Sequence, residues 1–192
     1  VPPPAATAGR ARPLPPAERR ADILAAVLPL LIEHGEAVTT RQLAQAACVA
    51  EGTIFNVFPD KDALIAAALE AALDQEPFER AIEAVDPTLS FPERLLACTR
   101  IVQHRTVDIW RLLSALGPRH QRPHGPLPDS PALIAVFAEH RSDITVTPVE
   151  AARILRALTL SLTHPMMTGD PMPAERIVAL FLDGVRVTGG TA

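Results

Sequence analysis

Thr53 and Asn56 are short polar side chains set among apolar ones in the run GTIFNVF, and on a helix that spacing places them on adjacent turns of one face. A carboxamide such as that of Asn56 can pair bidentately with adenine in a major groove, worth about 1–3 kcal/mol of discrimination, and a threonine hydroxyl can serve a base edge or a phosphate. Ile54 and Phe58 suit the opposite task of holding the same helix to its own domain. Lys61 follows closely enough to reach a phosphate, and Thr40 and Arg41 precede it at a spacing that fits backbone contact. The chemistry on offer is recognition rather than bond making.

No catalytic pattern competes with that reading. Of the six histidines, His120 and His124 fall in a Pro-rich stretch, and no HExxH or closely spaced Cys/His set accompanies them. Ser114 and Cys98 lack a base and an orienting group at motif spacing, and no Gly-rich phosphate loop is present. No enzymatic activity, metal or cofactor is expected.

The elements that must position these residues are helices. Thr39 can cap one by accepting from the amide of Gln42, whose side chain reaches back to the Thr39 amide. Leu43, Ala44 and Ala47 are small or apolar enough to face a core. Ala47, Cys48 and Val49 then form a turn, and a second helix runs from about Glu51 to Val57. Two short helices around a three-residue turn make a helix-turn-helix unit, whose second helix enters the major groove while the first rests on the backbone. A preceding helix from about Ala17 to His34 carries Ile23, Val27, Leu30 and Leu31 inward and stops at Gly35. Pro29 inside it predicts a kink or a split. Asp60 caps a further helix through Ala63, Leu64, Ala67, Ala68 and Leu73. Arg10, Arg12, Arg19 and Arg20 oppose only Glu18, so the first twenty residues form a basic arm able to lie along phosphates or enter a minor groove; a merely solvated tail fits the same residues.

At these positions the sequence resembles the TetR family of bacterial transcriptional regulators. The resemblance is carried by Ile23, Leu24, Ala26, Leu28 and Leu30, Gly35, Thr39 with Leu43 and Ala44, then Val49, Gly52, Thr53, Phe55, Phe58, Lys61 and Leu64, over about residues 19 to 70. It implies an N-terminal DNA-binding domain, a C-terminal ligand-binding and dimerisation domain, and repression relieved by a small effector. Five positions depart from the family pattern. Cys48 stands at a turn where glycine is common, Ala50 where a serine often caps the recognition helix, and Phe55 where a tyrosine hydroxyl reaches a phosphate. Val57 and Glu51 replace residues that are frequently polar or basic.

The rest of the chain reads as a helical body. Pro77 predicts a break, and residues 86–90 a loop. Ser90 with Glu93 predicts a capped helix over about Phe91 to Arg105, with a separate short segment at Trp110 to Leu116. Gly117 to Asp129 reads as a Pro-rich loop. Ser130 and Pro131 open a helix to about His140, and Thr147, Pro148 and Glu150 open another with Ile154, Leu155, Leu158 and Leu162 on one broad face. After a break at HPMMTGDPMP, Ile177, Leu180, Phe181, Gly184 and Val185 form a final stripe. Ile154, Leu158, Leu162, Ile177, Leu180, Phe181 and Gly184 could form a dimer seam or simply finish the monomer core; the family resemblance favours the seam. Trp110, Leu113, Phe137, Leu158 and Met166 suit an apolar or aromatic effector, with His104, Arg105 and Asp108 as polar anchors.

At 192 residues and 48% hydrophobic composition, the chain can bury a sizeable core beside a small appended domain. A net charge of −4 does not advertise a nucleic-acid protein, so placement of charge matters more than its sum. Cys48 and Cys98 lack the spacing of a metal site or disulfide framework, which suits a reducing, cytoplasmic setting. No run is long and apolar enough to span a bilayer, and no membrane partner is expected. The expected architecture is all-α: a flexible arm over residues 1–16, a three-helix DNA-binding domain over 17–62, a helical effector-binding and dimerisation bundle over 63–188, and a tail over 189–192. The expected partners are a second copy, an operator in double-stranded DNA and a small effector. A dimeric small-molecule-binding or protein-interaction module with weakened DNA binding is the alternative.

Overall fold

The computed structural model describes residues 15–118 and 127–185, so the arm with Arg10 and Arg12, most of the Pro-rich loop and the C-terminal tail lie outside the described residues. The described chain is helical. Helix α1 (Pro16–His34) starts on a proline in its first turn and buries Ile23, Val27 and Leu31 at four-residue spacing. It runs through Pro29 without the expected split. Pro29 and Ala25 are both exposed, so the carbonyl that loses its donor faces water.

Gly35 ends α1 at φ +55° and ψ −138°, a conformation reserved in practice for glycine. A short 3-10 turn (Gly35–Ala37) follows, then α2 (Thr40–Ala46), α3 (Glu51–Val57) and α4 (Lys61–Leu73). The capping box at Thr39 forms as expected, with the Gln42 side chain accepting from the Thr39 amide at 2.8 Å. Asp60 caps α4 by accepting from Ala63 at 2.7 Å. The break expected at Pro77 falls just before it, between the end of α4 at Leu73 and the start of α5 (Glu76–Glu83); Pro77 sits in the first turn of α5, where its missing N–H costs nothing, and Asp74 accepts from the free amide of Glu76.

The expected pair of segments over residues 91–116 is one helix, α6 (Phe91–Leu116). Nothing between Pro92 and Leu116 is a glycine or proline, so the β-branched residues near Thr106 and Val107 are no reason to interrupt it. At about 1.5 Å per residue the helix is roughly 39 Å long. Helices α7 (Pro131–Glu139), α8 (Pro148–Thr163), α9 (Pro165–Thr168) and α10 (Ala174–Val185) complete the body, α9 occupying part of the expected break. Thr147 with Glu150 forms the expected box, and the Glu93 carboxylate accepts from both the amide and the hydroxyl of Ser90.

Two cores result. One gathers Phe91, Leu95, Cys98 and Val102 of α6 with Phe137, Leu155 and Phe181. The other gathers Ile23, Val27, Leu43, Ile54, Phe58 and Leu64, and it is completed by Leu112 and Leu116 from the far end of α6. α6 therefore belongs to both. No helix among the described residues is long and apolar enough to cross a membrane.

The tightest point lies where the second core meets α6: a Cβ built on Gly35 would stand 2.1 Å from the carbonyl oxygen of Ala115. Gly35→Ala is expected to destabilise the chain by about 2–4 kcal/mol, combining backbone strain with overpacking, and urea unfolding would read this as a lower midpoint. Burial pushes the Cys98 thiol up to about 11 despite nearby Arg94, while Cys48 is exposed. Only thiolate reacts, so iodoacetamide at pH 8 should label Cys48 and leave Cys98 intact until unfolding; equal labelling of the two in the native protein would contradict the burial of Cys98 in the body core.

Candidate nucleic-acid interface and ligand cavity

The turn between α2 and α3 is a Schellman closure. Val49 N–H donates to Ala44 O at 3.0 Å and Cys48 N–H to Gln45 O at 3.1 Å, which satisfies the last carbonyls of α2. That geometry requires a left-handed residue, and Cys48 supplies it at φ 52°, the one non-glycine residue at positive φ among the described residues. Helix α3 then begins at Ala50 without a side-chain cap. Seven residues with no such cap would not hold a helix alone. What holds α3 is the burial of Ile54 and Phe58, both 1% exposed.

The opposite face of α3 is presented outward. Glu51, Gly52, Phe55 and Asn56 are exposed and Thr53 is half-buried. Phe55, at 47% exposure, is a large apolar ring on this outward face and offers no hydrogen bond. Around this face stand Thr40, half-buried at the start of α2, and Arg41, exposed beside it. Arg20 lies over the Phe58 ring with its guanidinium carbon 4.5 Å from the centroid, so it is packed onto the unit rather than projecting freely. Arg19 is half-buried on the same turn of α1. Lys61 donates from Nζ to the Glu36 carbonyl at 2.5 Å, a tie to the 3-10 turn that sequence reasoning did not foresee.

Of the residues expected around an effector, the structure brings Trp110 and Leu113 together at a cavity of about 240 Å³ between the end of α4, the middle of α6 and α8. Phe137 is fully buried in the body core and Leu158 packs against that core, so neither faces this cavity. His104 is exposed on a different side of α6, paired with Asp108 at 3.2 Å. The side chain of Met166 lies outside the described residues. Arg105 does reach the cavity. Leu73, Gln75, Thr106, Ile109, Arg156 and Leu160 also line it and were not singled out from the sequence. Nothing in the sequence places Leu73 or Gln75 there, because only the packing of α4 on α6 does so; Arg156 could have been found as a charge beside the apolar face of α8.

The proposed seam divides. Ile177 and Phe181 are buried in the protomer's own core, because α10 packs that face on α6 and α8. Ile154 and Leu180 remain exposed at 37% and 38%, Gly184 is exposed, and Leu158 and Leu162 are half-buried.

Fold and site together define an all-α protein with an N-terminal helix-turn-helix unit. The model of the bacterial regulatory proteins of the tetR family matches residues 23–68. No curated protein matches the chain. Among solved structures, a TetR transcriptional regulator from Streptomyces coelicolor is 26% identical, with a TM-score of 0.58 over 88% of this chain and 99% of that one. E. coli NemR in its reduced form is 20% identical, with a TM-score of 0.55 over 88% and 98%. A protein described in connection with control of antibiotic production by bacterial hormones is 18% identical, with a TM-score of 0.62 over 88% and 98%. The N-terminal domain thus matches the tetR-family model over residues 23–68, and the fold of the chain is similar to that of TetR-family regulators.

Cys48 holds a glycine's conformation at a cost of about 1–2 kcal/mol, partly offset in glycine by about 0.5–1 kcal/mol of chain entropy. Cys48→Gly should therefore stabilise the protein by about 0.5–1 kcal/mol, and a lower denaturation midpoint for that variant would contradict the strain assigned to this turn.

Proposed function

We propose that the chain is a sequence-specific DNA-binding transcriptional regulator that works as a homodimer, represses from a palindromic operator, and is released by a small apolar or aromatic effector. The observation that carries the reading is the exposed face of α3: Thr53, Phe55 and Asn56 stand outward on a helix whose inner face is locked into the core by Ile54 and Phe58. Asn56 is assigned to a base edge, Thr53 to a base edge or phosphate, and Thr40, Arg41, Lys61, Arg19 and Arg20 to backbone contact. Lys61 keeps donors to spare beyond its bond to Glu36, because an ammonium has three. The dimer reading is supported by Ile154, Leu180 and Gly184, exposed on α8 and α10 while the opposite sides of both helices are buried. A cytoplasmic setting accords with this role.

The second reading, a dimeric ligand-binding or protein-interaction module with weakened DNA binding, is favoured by Glu51 on the presented face and by the uncapped start of α3. Selection from random duplex DNA at two salt concentrations separates the two. The regulator reading expects a palindromic motif whose affinity falls steeply with salt, by about 0.9 decades per decade of salt for each phosphate neutralised. A folded dimer that enriches no motif at low salt would instead favour the module. Asn56→Ala and Thr53→Ala should each weaken the selected site, by about 1–3 kcal/mol for Asn56 if its pair is bidentate, with unfolding unchanged; operator affinity equal to that of the parent in both variants would remove these residues from the interface.

A further inference from the structure

The cavity at the middle of α6 has apolar walls from Leu73, Val102, Ile109, Trp110, Leu113 and Leu160, but its polar lining has one sign. Among the described residues it contains Gln75, Thr106, Arg105 and Arg156 and no carboxylate. The Thr106 hydroxyl is already used, donating to Val102 O at 2.7 Å. The two guanidiniums are used only in part. Arg105 donates from Nη2 to Leu73 O at 2.9 Å and lies over the Phe78 ring, and Arg156 donates from Nη1 to Pro128 O at 2.5 Å. Each has five N–H donors, so most remain unused by any described residue.

The acids nearest these groups lie off the cavity wall and none is hydrogen-bonded to either guanidinium, although Glu79 Oε1 is buried without a hydrogen-bond partner and its charge acts on both arginines. Glu79 accepts from the Ala132 amide at 2.9 Å, Asp74 from the Glu76 amide, and Asp129 accepts two bonds from Arg153 at 2.8 and 2.7 Å. Burial lowers the proton affinity of both arginines; at Arg105 the charges of Asp74 and Glu79 oppose this while that of Arg156 adds to it, and at Arg156 the charges of Glu79 and Asp129 oppose it. Two half-buried cations with unused donors at an apolar cavity form a receptor for a planar anion, since carboxylates accept from guanidinium in pairs.

We propose that this cavity binds a small organic carboxylate, its head group held by Arg105 and Arg156 and its apolar body against Trp110, Ile109, Leu113 and Leu160. The regulatory meaning rests on the regulator reading above, of which this names the effector class. At about 240 Å³ the cavity falls below the ~300–1,000 Å³ of drug-sized sites, which limits the ligand to a single ring or a short chain. Arg105 also ties α6 to the last residue of α4 through Leu73 O, so a head group that draws this donor away loosens α4 from α6. That difference in contacts between two states is what an effector needs.

Trp110 is the single tryptophan, so its fluorescence reports occupancy. The full chain would be titrated at constant ionic strength with benzoate, phenylacetate and hexanoate, and with benzamide, phenylacetamide and hexanamide. At least one acid should give a saturable change, with its amide at least tenfold weaker. Arg156→Met should weaken that acid at least tenfold with the circular dichroism unchanged, and Arg156→Lys should recover part of the loss. Equal binding of acid and amide, full acid affinity in both Arg105→Met and Arg156→Met, or no saturable change with any acid would each overturn the proposal. Duplex selection on the same preparation keeps the two readings apart: selective DNA binding without acid binding overturns the carboxylate alone, whereas acid binding without selective DNA binding upholds the carboxylate and overturns the regulator.

Discussion

The last turn of α6 lies so close to Gly35 that only a hydrogen atom fits between the corner after α1 and the Ala115 carbonyl. This contact decides how the two halves of the molecule can move. Leu112 and Leu116 enter the N-terminal core from one side while Gly35 presses on the same turn from another, so the helix end is held as part of that core. The other end of the same rod carries Phe91, Leu95 and Cys98 into the body. A close-packed interior does not deform continuously, so a shift along α6 is met by repacking at a discrete place. The cavity beside Arg105 and Trp110 sits between the two ends, where an occupant would act on both.

The helix-turn-helix unit is unusually dependent on that packing. α2 closes on a strained Cys48, and α3 starts without a side-chain cap, so neither local geometry nor propensity holds the recognition helix in place. Ile54 and Phe58 hold it, and they belong to the core that Leu112 and Leu116 complete. The device that presents Thr53 and Asn56 therefore draws its order from the helix that also lines the cavity. A self-sufficient unit with a glycine turn and a serine cap would be less sensitive to that helix.

Much of this was legible in the sequence where local chemistry decides it. Thr39 with Gln42, Asp60, and Thr147 with Glu150 are caps whose residue types and spacing leave few alternatives, and each starts a helix where expected. Prolines were harder to read, because the cost of a proline depends on its position in a helix: Pro29 faces water and α1 runs on through it, whereas Pro77 occupies the first turn of α5, just after the gap that ends α4. The candidate cavity was only half legible. Trp110, Leu113 and Arg105 share α6, but Leu73 and Gln75 join them only through the packing of the end of α4 on α6, and no periodicity carries that information. Ile177 and Phe181 show the same limit, since a stripe states that a face is apolar but not which neighbour covers it.

The stripes on α8 and α10 nonetheless hold more apolar surface than one protomer covers. Ile177 and Phe181 point inward, and Ile154 and Leu180 are left outward on the same two helices, which is the pattern of helices meant to be covered on both sides. In the proposed dimer those outward residues would fix the two bodies against each other. The only freedom left to the two recognition helices would then be the angle of each N-terminal unit against its own body. That angle is set by Gly35 on α6 and by the tie from Arg105 to Leu73. Half-sites repeat every ~34–36 Å along a duplex, so two α3 helices must match a spacing that DNA does not adjust without bending or twisting. A small rotation at each Gly35 corner would be enlarged by the reach of the unit and counted twice by the symmetry, so a cavity of modest size beside α6 can govern a contact made far from it.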